Sequence, residues 1–245
     1  MSSRGKKKNQ AKGFRPETIR RIVKSLSEKV EGYTSDIKSG KTVAIVISTG
    51  NQKIGRCMNV SLAPIITCKN CKECKSFCYD VKACCQYENV RNARAKNTAL
   101  FRYDRDLFFR LLWEKMSRKK SNKFLRFHVS GEIVDIDHFS RMVETAKRFP
   151  DFKIWTYTKV YWIVNQYIRE HGGNKEAALP DNFKVMFSEW KGLPIDNPYD
   201  LPVFRCVMEN EEQPTDCFKC PGCCDYCKAH GCGCVAGKSS YVHLH

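Results

Sequence analysis

The cysteines of this chain fall in two clusters, seven between Cys57 and Cys85 and eight between Cys206 and Cys234, and each contains C-x2-C-x2-C-x3-C. The first match is Cys68, Cys71, Cys74 and Cys78; the second is Cys217, Cys220, Cys223 and Cys227. A tight loop with this spacing can aim several sulfurs at one centre, so the chain is expected to build around a metal ion or an iron–sulfur cluster. The amino terminus, MSSRGKKKNQ, has no apolar segment behind its charges and does not read as a secretory signal. Fifteen cysteines in such a chain point to thiolates in a reducing cytoplasm rather than to disulfides, and the odd number would leave one thiol over. No apolar run approaches the ~20 residues that span a bilayer, so no membrane role is expected.

Between the clusters the pattern alternates. Thr42–Ser48, Phe124–Ser130, Phe152–Thr158, Phe183–Ser188 and Pro202–Val207 read as strands. Helical periodicity marks residues 88–118, a segment through Phe139, Met142, Val143 and Ala146 capped by Asp137, and a segment from Val160 to Ile168 that stops at Gly172-Gly173. Strands alternating with helices predict an α/β fold: a parallel sheet or partial (β/α) barrel, with a Cys-rich loop after the first strand and a Cys-rich C-terminal segment. The chain divides into a disordered basic tail (1–16), an N-terminal helix and linker (17–40), an α/β core with the first cluster (41–205) and a Cys-rich metal-binding segment (206–245). Ile19, Ile22, Val23, Leu26 and Val30 mark the N-terminal helix, with Gly32 as its expected end.

Four strands end in polar residues: Ser48-Thr49-Gly50, Ser130-Gly131-Glu132, Thr158-Lys159 and Ser188-Glu189. In parallel α/β folds the carboxyl ends of the strands form the active face, so these side chains and the first cysteine loop should meet at one mouth. Ordinary polarity where a strand leaves the core would give the same residue types.

The formal net charge is +17, and residues 1–30 hold ten Lys/Arg against Glu17 and Glu28. Such a balance favours nucleic acid as a partner through counterion release, although solvated surface lysines would give the same total. In the first cluster Lys69, Lys72 and Lys75 sit between the thiolates and can offset their charge, and Phe77 and Tyr79 can shield a cluster. The spacing is that of the ferredoxin run with Tyr79 in the proline position, yet the two runs stand far apart in a large α/β body, which argues against a simple electron carrier. Zinc is the competing ligand, because C-x2-C knuckles suit it. The second cluster fits zinc or iron–sulfur equally, with Cys232, Cys234, His243 and His245 as spare ligands and Cys220, Cys224 and Cys227 as a C-x3-C-x2-C subset. Cys57, Cys84 and Cys85 read as peripheral, and Cys206 as a small buried hydrophobe.

The stretches TCKNCKECKSFCYDVKA and LRFHVSGEIVDIDHFSRMVETAKRFPDFKIWTYTK resemble the phage and mobile-element family called gene product 88, over roughly residues 42–235. A more distant likeness is to radical S-adenosylmethionine (radical SAM) enzymes, in which a strand, a three-cysteine loop, a helix and a strand ending in Gly-Glu follow in that order. That likeness implies a [4Fe–4S] cluster on Cys68, Cys74 and Cys78, with Cys71 as an additional thiol. It further implies S-adenosylmethionine held by Ser130, Gly131 and Glu132, with Lys159 and Glu189 as candidate catalytic residues. The loop spacing departs from that of those enzymes, being C-x5-C-x3-C, and Cys71 could fill the open iron position. Two functions follow: a radical-SAM-like enzyme acting on nucleic acid or a nucleic-acid-associated substrate, or a non-enzymatic nucleic-acid-binding protein stapled by zinc or a cluster.

Overall fold

The structure, a computed structural model, describes residues 13–51, 54–208 and 211–243. Residues 1–12 of the expected tail and the spare ligand His245 lie outside the described residues. Residues 13–15 lead directly into α1 (Pro16–Lys38), and the Phe14 N–H donates to the Ser76 carbonyl at 2.6 Å. This end of the expected tail is thus bonded to the first cysteine loop.

Helix α1 buries Ile19, Ile22, Leu26 and Val30 and runs past Gly32 to Lys38, further than the sequence predicts. Tertiary contact outweighs the glycine: Tyr33 and Ile37 pack with Val30 against Ala95 and Ala99 of α3 (Glu88–Tyr103). The long helix expected over residues 88–118 is two helices, α3 and α4 (Arg105–Ser117), because Asp104 breaks the run and caps α4 by accepting the Leu107 N–H at 2.8 Å. Before them lies a short helix that periodicity did not reveal, α2 (Tyr79–Gln86). Helix α5 (Ile136–Arg148) is capped by Asp135, which accepts the His138 N–H at 2.8 Å, and not by Asp137, which pairs with Arg105. Helix α6 (Tyr161–Glu170) ends before Gly172-Gly173 as expected, and α7 (Lys175–Ala178) is one turn.

The apolar run 42–48 is not the first strand. Residues 42–47 pair with no strand among the described residues, and the Asn97 side chain bonds both the N–H and the C=O of Val46 at 2.8 Å. Pairing begins with β1 (Ser48–Asn51), which turns back antiparallel onto β2 (Gly55–Val60). Then come β3 (Phe124–Phe127), β4 (Lys153–Thr158), β5 (Phe183–Glu189), β6 (Val203–Val207), β7 (Phe218–Lys219) and β8 (Ser240–His243). They form one sheet of eight strands in the order β1-β2-β3-β4-β5-β6-β8-β7, with every pairing from β2 onward parallel. The fold is α/β with a mostly parallel sheet.

Strands β2 to β6 lie in chain order with no reversal, and right-handed crossovers then place all the intervening helices on one face. Met58, Val60, Leu125, Phe127, Ile154, Val185 and Phe187 point to that face and meet Leu112, Phe139, Val143 and Ile168. The alternate residues Cys57, Trp155 and Met186 point the other way, as period-two geometry requires. They meet Cys227 of the last helix, α8 (Cys224–His230), and Cys234 and Val235 of the 3-10 turn Gly233–Ala236. The C-terminal cysteine segment therefore covers the second face of the sheet, and the expected division after residue 205 passes through β6.

Candidate metal centre at the carboxyl edge of the sheet

The chain from β2 into the first cysteine loop is held by short polar contacts. The Leu62 N–H donates to the Ser130 carbonyl at 3.0 Å, and the Ser130 N–H to the Ser61 hydroxyl at 3.3 Å. Thr98 Oγ1 accepts the Ala63 N–H, and the Thr67 hydroxyl donates to the Ala63 carbonyl at 2.7 Å. Gly131 sits at φ 82°, where a Cβ would lie 2.8 Å from Leu62 Cβ and 2.9 Å from Thr67 Oγ1. The Ser130-Gly131 turn thus presses against the residue preceding Cys68, and only glycine fits there. Strand β3 stops at Phe127, short of the expected Ser130, because His128 adopts a left-handed φ of 55°.

Glu132 is buried, and both its oxygens accept main-chain N–H groups at 2.9 Å, from Ile133 and from Lys159. Burial raises its pKa, and these two N–H groups and the Lys159 charge oppose the shift. On the other side the Asn70 amide donates to the Lys159 carbonyl at 2.9 Å. Lys159 is therefore clamped through its main chain between the cysteine loop and the end of β3.

The Cys71 thiol lies close to those of Cys68 and Cys74. As a bare thiol Cys71 is pushed up to about 12, first by its contact with Cys68. Cys74 is also raised, by Cys71 and burial, while Lys159 pulls it down. Cys78 stands at the N-cap of α2, facing the N–H groups of Asp80 and Val81 without a capping bond of ordinary geometry; burial raises its pKa and those N–H groups lower it. Behind the helix Arg94 holds Asp80 in a two-pronged ion pair at 3.1 and 3.0 Å.

Of the two catalytic candidates only Lys159 faces the loop. It lines a cavity of about 120 Å³ together with Asn70, Lys72, Cys74, Trp190 and Lys191. Glu189 is taken up by Arg205, whose Nε donates to it at 2.8 Å while Nη1 grips Asp216.

In the second cluster the structure brings together Cys220, Cys224, Cys227, Cys232 and Cys234. The Cys224 thiol lies beside that of Cys234, and Cys227 beside Cys232, and Cys220 is close enough to Cys232 and Cys234 for their charges to be felt. The pKa of Cys234 is lowered by the contact with Cys224, with help from the Tyr157 hydroxyl and the Arg126 charge. Cys217 lies apart beside Arg205 at 3.8 Å. Cys206 is half-buried and raised to about 11, mainly by desolvation. The repeated motif points to Cys217 and Cys223 with Cys232 and Cys234 as spare ligands; the αL turn at Gly231, to which that motif gives no clue, folds Cys232 back onto Cys227.

All the cysteines are free thiols. Among the described residues no three His, Cys, Asp or Glu side chains surround one point as a bound ion requires. The donor chemistry of the first loop nonetheless suits a thiolate-bound group, with the Cys71 thiol close to those of Cys68 and Cys74, Cys78 near Cys74, and lysines around them. No described helix is long and apolar enough to cross a membrane.

A singly wound parallel sheet with a cysteine loop after its first parallel strand and polar residues at its carboxyl edge defines the class. The family model for gene product 88 matches residues 23–192, well over half of the chain, and the chain belongs to that family. Comparison with curated proteins and with solved structures finds no match.

Proposed function

We propose that this chain is an iron–sulfur protein of phage or mobile-element origin, acting in the cytoplasm of the host cell as a radical-SAM-like enzyme on nucleic acid or a nucleic-acid-associated substrate. Cys68, Cys74 and Cys78 would hold a [4Fe–4S] cluster, with Cys71 dispensable. The observation that carries the reading is the interlock of Gly131 with Leu62 and Thr67, which joins the Ser130-Gly131-Glu132 turn to the root of the cysteine loop at the carboxyl edge of the sheet. The cluster would supply electrons for reductive cleavage of S-adenosylmethionine. The Ser130 hydroxyl is buried and has no partner among the described residues, which supports a polar ligand beside it. Glu132 accepts one main-chain N–H on each oxygen, from Ile133 and Lys159, which fixes the turn and Lys159 and leaves a further acceptor site on each oxygen for a SAM amine.

A second reading has an observation of its own. Arg126 carries a guanidinium whose Nε is buried without a partner, stacked 4.6 Å over the Tyr157 ring and close to Cys224 and Cys234. A half-buried cation beside thiols favours an anionic thiolate centre in the C-terminal segment, for which zinc is the natural ion. If zinc were the only metal, the chain would be a zinc-stapled nucleic-acid-binding protein.

Anaerobic purification with iron, sulfide and zinc analysis separates the readings. We expect about four iron and four sulfide per chain, lost in Cys74→Ser and retained in Cys71→Ser. A colourless protein holding zinc and no sulfide would sink the enzyme reading and leave the zinc-stapled one.

A further inference from the structure

We infer that the cavity between the first cysteine loop and the ends of β4 and β5 seats a phosphate of a nucleic-acid strand, with Trp190 stacking an adjoining base. The inference takes its substrate class from the nucleic-acid part of the reading above and names the residues that would engage it.

Three lysines meet at this cavity: Lys72 from the loop, Lys159 after β4 and Lys191 after β5. Lys191 reaches Glu211 at 3.4 Å, an exposed pair of little strength. Lys72 and Lys159 make no ion pair among the described residues, although the Lys159 charge is felt by the buried Glu132 and by Cys74, so two lysines line one small concavity with no carboxylate in direct contact. Like charges held together destabilise the protein unless an anion joins them. Lys159 is preset for such a role, because Asn70 and Glu132 fix its main chain and leave its side chain unpaired.

The remaining lining agrees. Trp190 is half-buried and held by its bridge to Leu193 and by Phe77, whose ring centre lies 6.1 Å away. A fixed indole beside ammonium groups is the combination that receives a base and its phosphate. At about 120 Å³ the cavity is smaller than the ~300 Å³ at which whole-ligand pockets begin, so it suits the phosphate, with the base outside on the indole. Cys74 in the same wall would bring the strand next to the proposed cluster. A cluster-bearing loop by itself accounts for Lys72, which offsets thiolate charge, but not for Lys159, Lys191 and the fixed indole that reach the cavity from outside the loop.

The test uses full-length protein, metal-loaded and metal-stripped, titrated with a short fluorescent single-stranded oligonucleotide, an abasic strand of the same length, and inorganic phosphate. Lys159→Gln keeps the main-chain bonds and should weaken oligonucleotide binding about tenfold and lower the salt slope by about one. Trp190→Ala should weaken the base-containing strand about tenfold and leave the abasic strand unchanged. Lys147→Gln, a control on the exposed side of α5, should alter neither. Competition by inorganic phosphate in the wild type but not in Lys159→Gln would add support. Oligonucleotide binding that is absent in the wild type, or equal in wild type, Lys159→Gln and Trp190→Ala, overturns the inference. Binding that follows these variants in a protein without iron would uphold the seat while the enzyme reading fails.

Discussion

His128 shows how a single residue can stop a strand and set a pH dependence. It ends β3 with a left-handed φ of 55°, is buried, and packs edge-on to His138 with ring centres 4.9 Å apart. Burial lowers its pKa to about 3; the Ser130 main chain opposes this a little, although neither ring nitrogen reaches a partner with hydrogen-bond geometry. His138 is likewise held neutral by burial. Above the ordinary histidine value of 6.5 the folded and unfolded chains are both neutral at His128, and the ring has no pH effect. As pH falls from 6.5 toward 3 only the unfolded chain takes the proton, so stability declines through that window. His128→Asn keeps a residue that tolerates the left-handed backbone and removes the titration. Denaturant unfolding at several pH values should show a stability slope shallower than wild type by about 1.4 kcal/mol per pH unit below 6.5. Equal slopes would mean that His128 is not buried neutral. Alternation in FLRFHVS located the strand in the sequence, but a pattern of side chains carries no information on φ, and so it overran to Ser130. Ser130-Gly131-Glu132 was legible as a strand end; the attachment of Glu132 to two main-chain N–H groups was not, since those partners come from the fold.

At the scale of elements, most helices and the later strands were legible because one face of each is apolar at the proper period. The failures arose where tertiary contacts overrode local preference. Gly32 reads as a helix stop, yet α1 passes through it because Tyr33 and Ile37 have Ala95 and Ala99 to pack against. TVAIVIS reads as a strand, but Asn97, itself buried, supplies the main-chain bonds that a neighbouring strand would otherwise provide. GRCMNV was missed because β2 buries both its faces and so shows no alternation. Gly32 offers a direct check. A Cβ there would meet nothing within 4 Å, and its φ is not positive. Gly32→Ala should therefore stabilise the protein by about 0.5–1 kcal/mol through reduced unfolded-state entropy, seen as a higher melting temperature. A lower one would show that the helix does not continue through residue 32 in solution.

At the scale of the molecule, the singly wound strand order dictates the rest. Helices occupy one face, and the other must be covered by something that is not a crossover helix. The C-terminal cysteine segment does this with Cys227, Cys234 and Val235 over Trp155 and Met186. Composition revealed a second thiol cluster but not that it would lie on the sheet, because that placement follows from β8 inserting between β6 and β7. Arg126, on the same face of β3, then becomes the informative group. Arg126 is half-buried, and without an anionic partner its replacement by an apolar side chain of similar length would be neutral or stabilising. If the neighbouring thiols form a metal-bound anionic centre, the same replacement removes its counter-charge. Arg126→Met is accordingly expected to retain the iron of the first loop and to release zinc from the C-terminal segment to a chelator at about tenfold lower chelator concentration than wild type, the equivalent of a charge-assisted contact of ~1.5 kcal/mol. A variant that melts higher and holds zinc as tightly as wild type would show that Arg126 faces no thiolate centre.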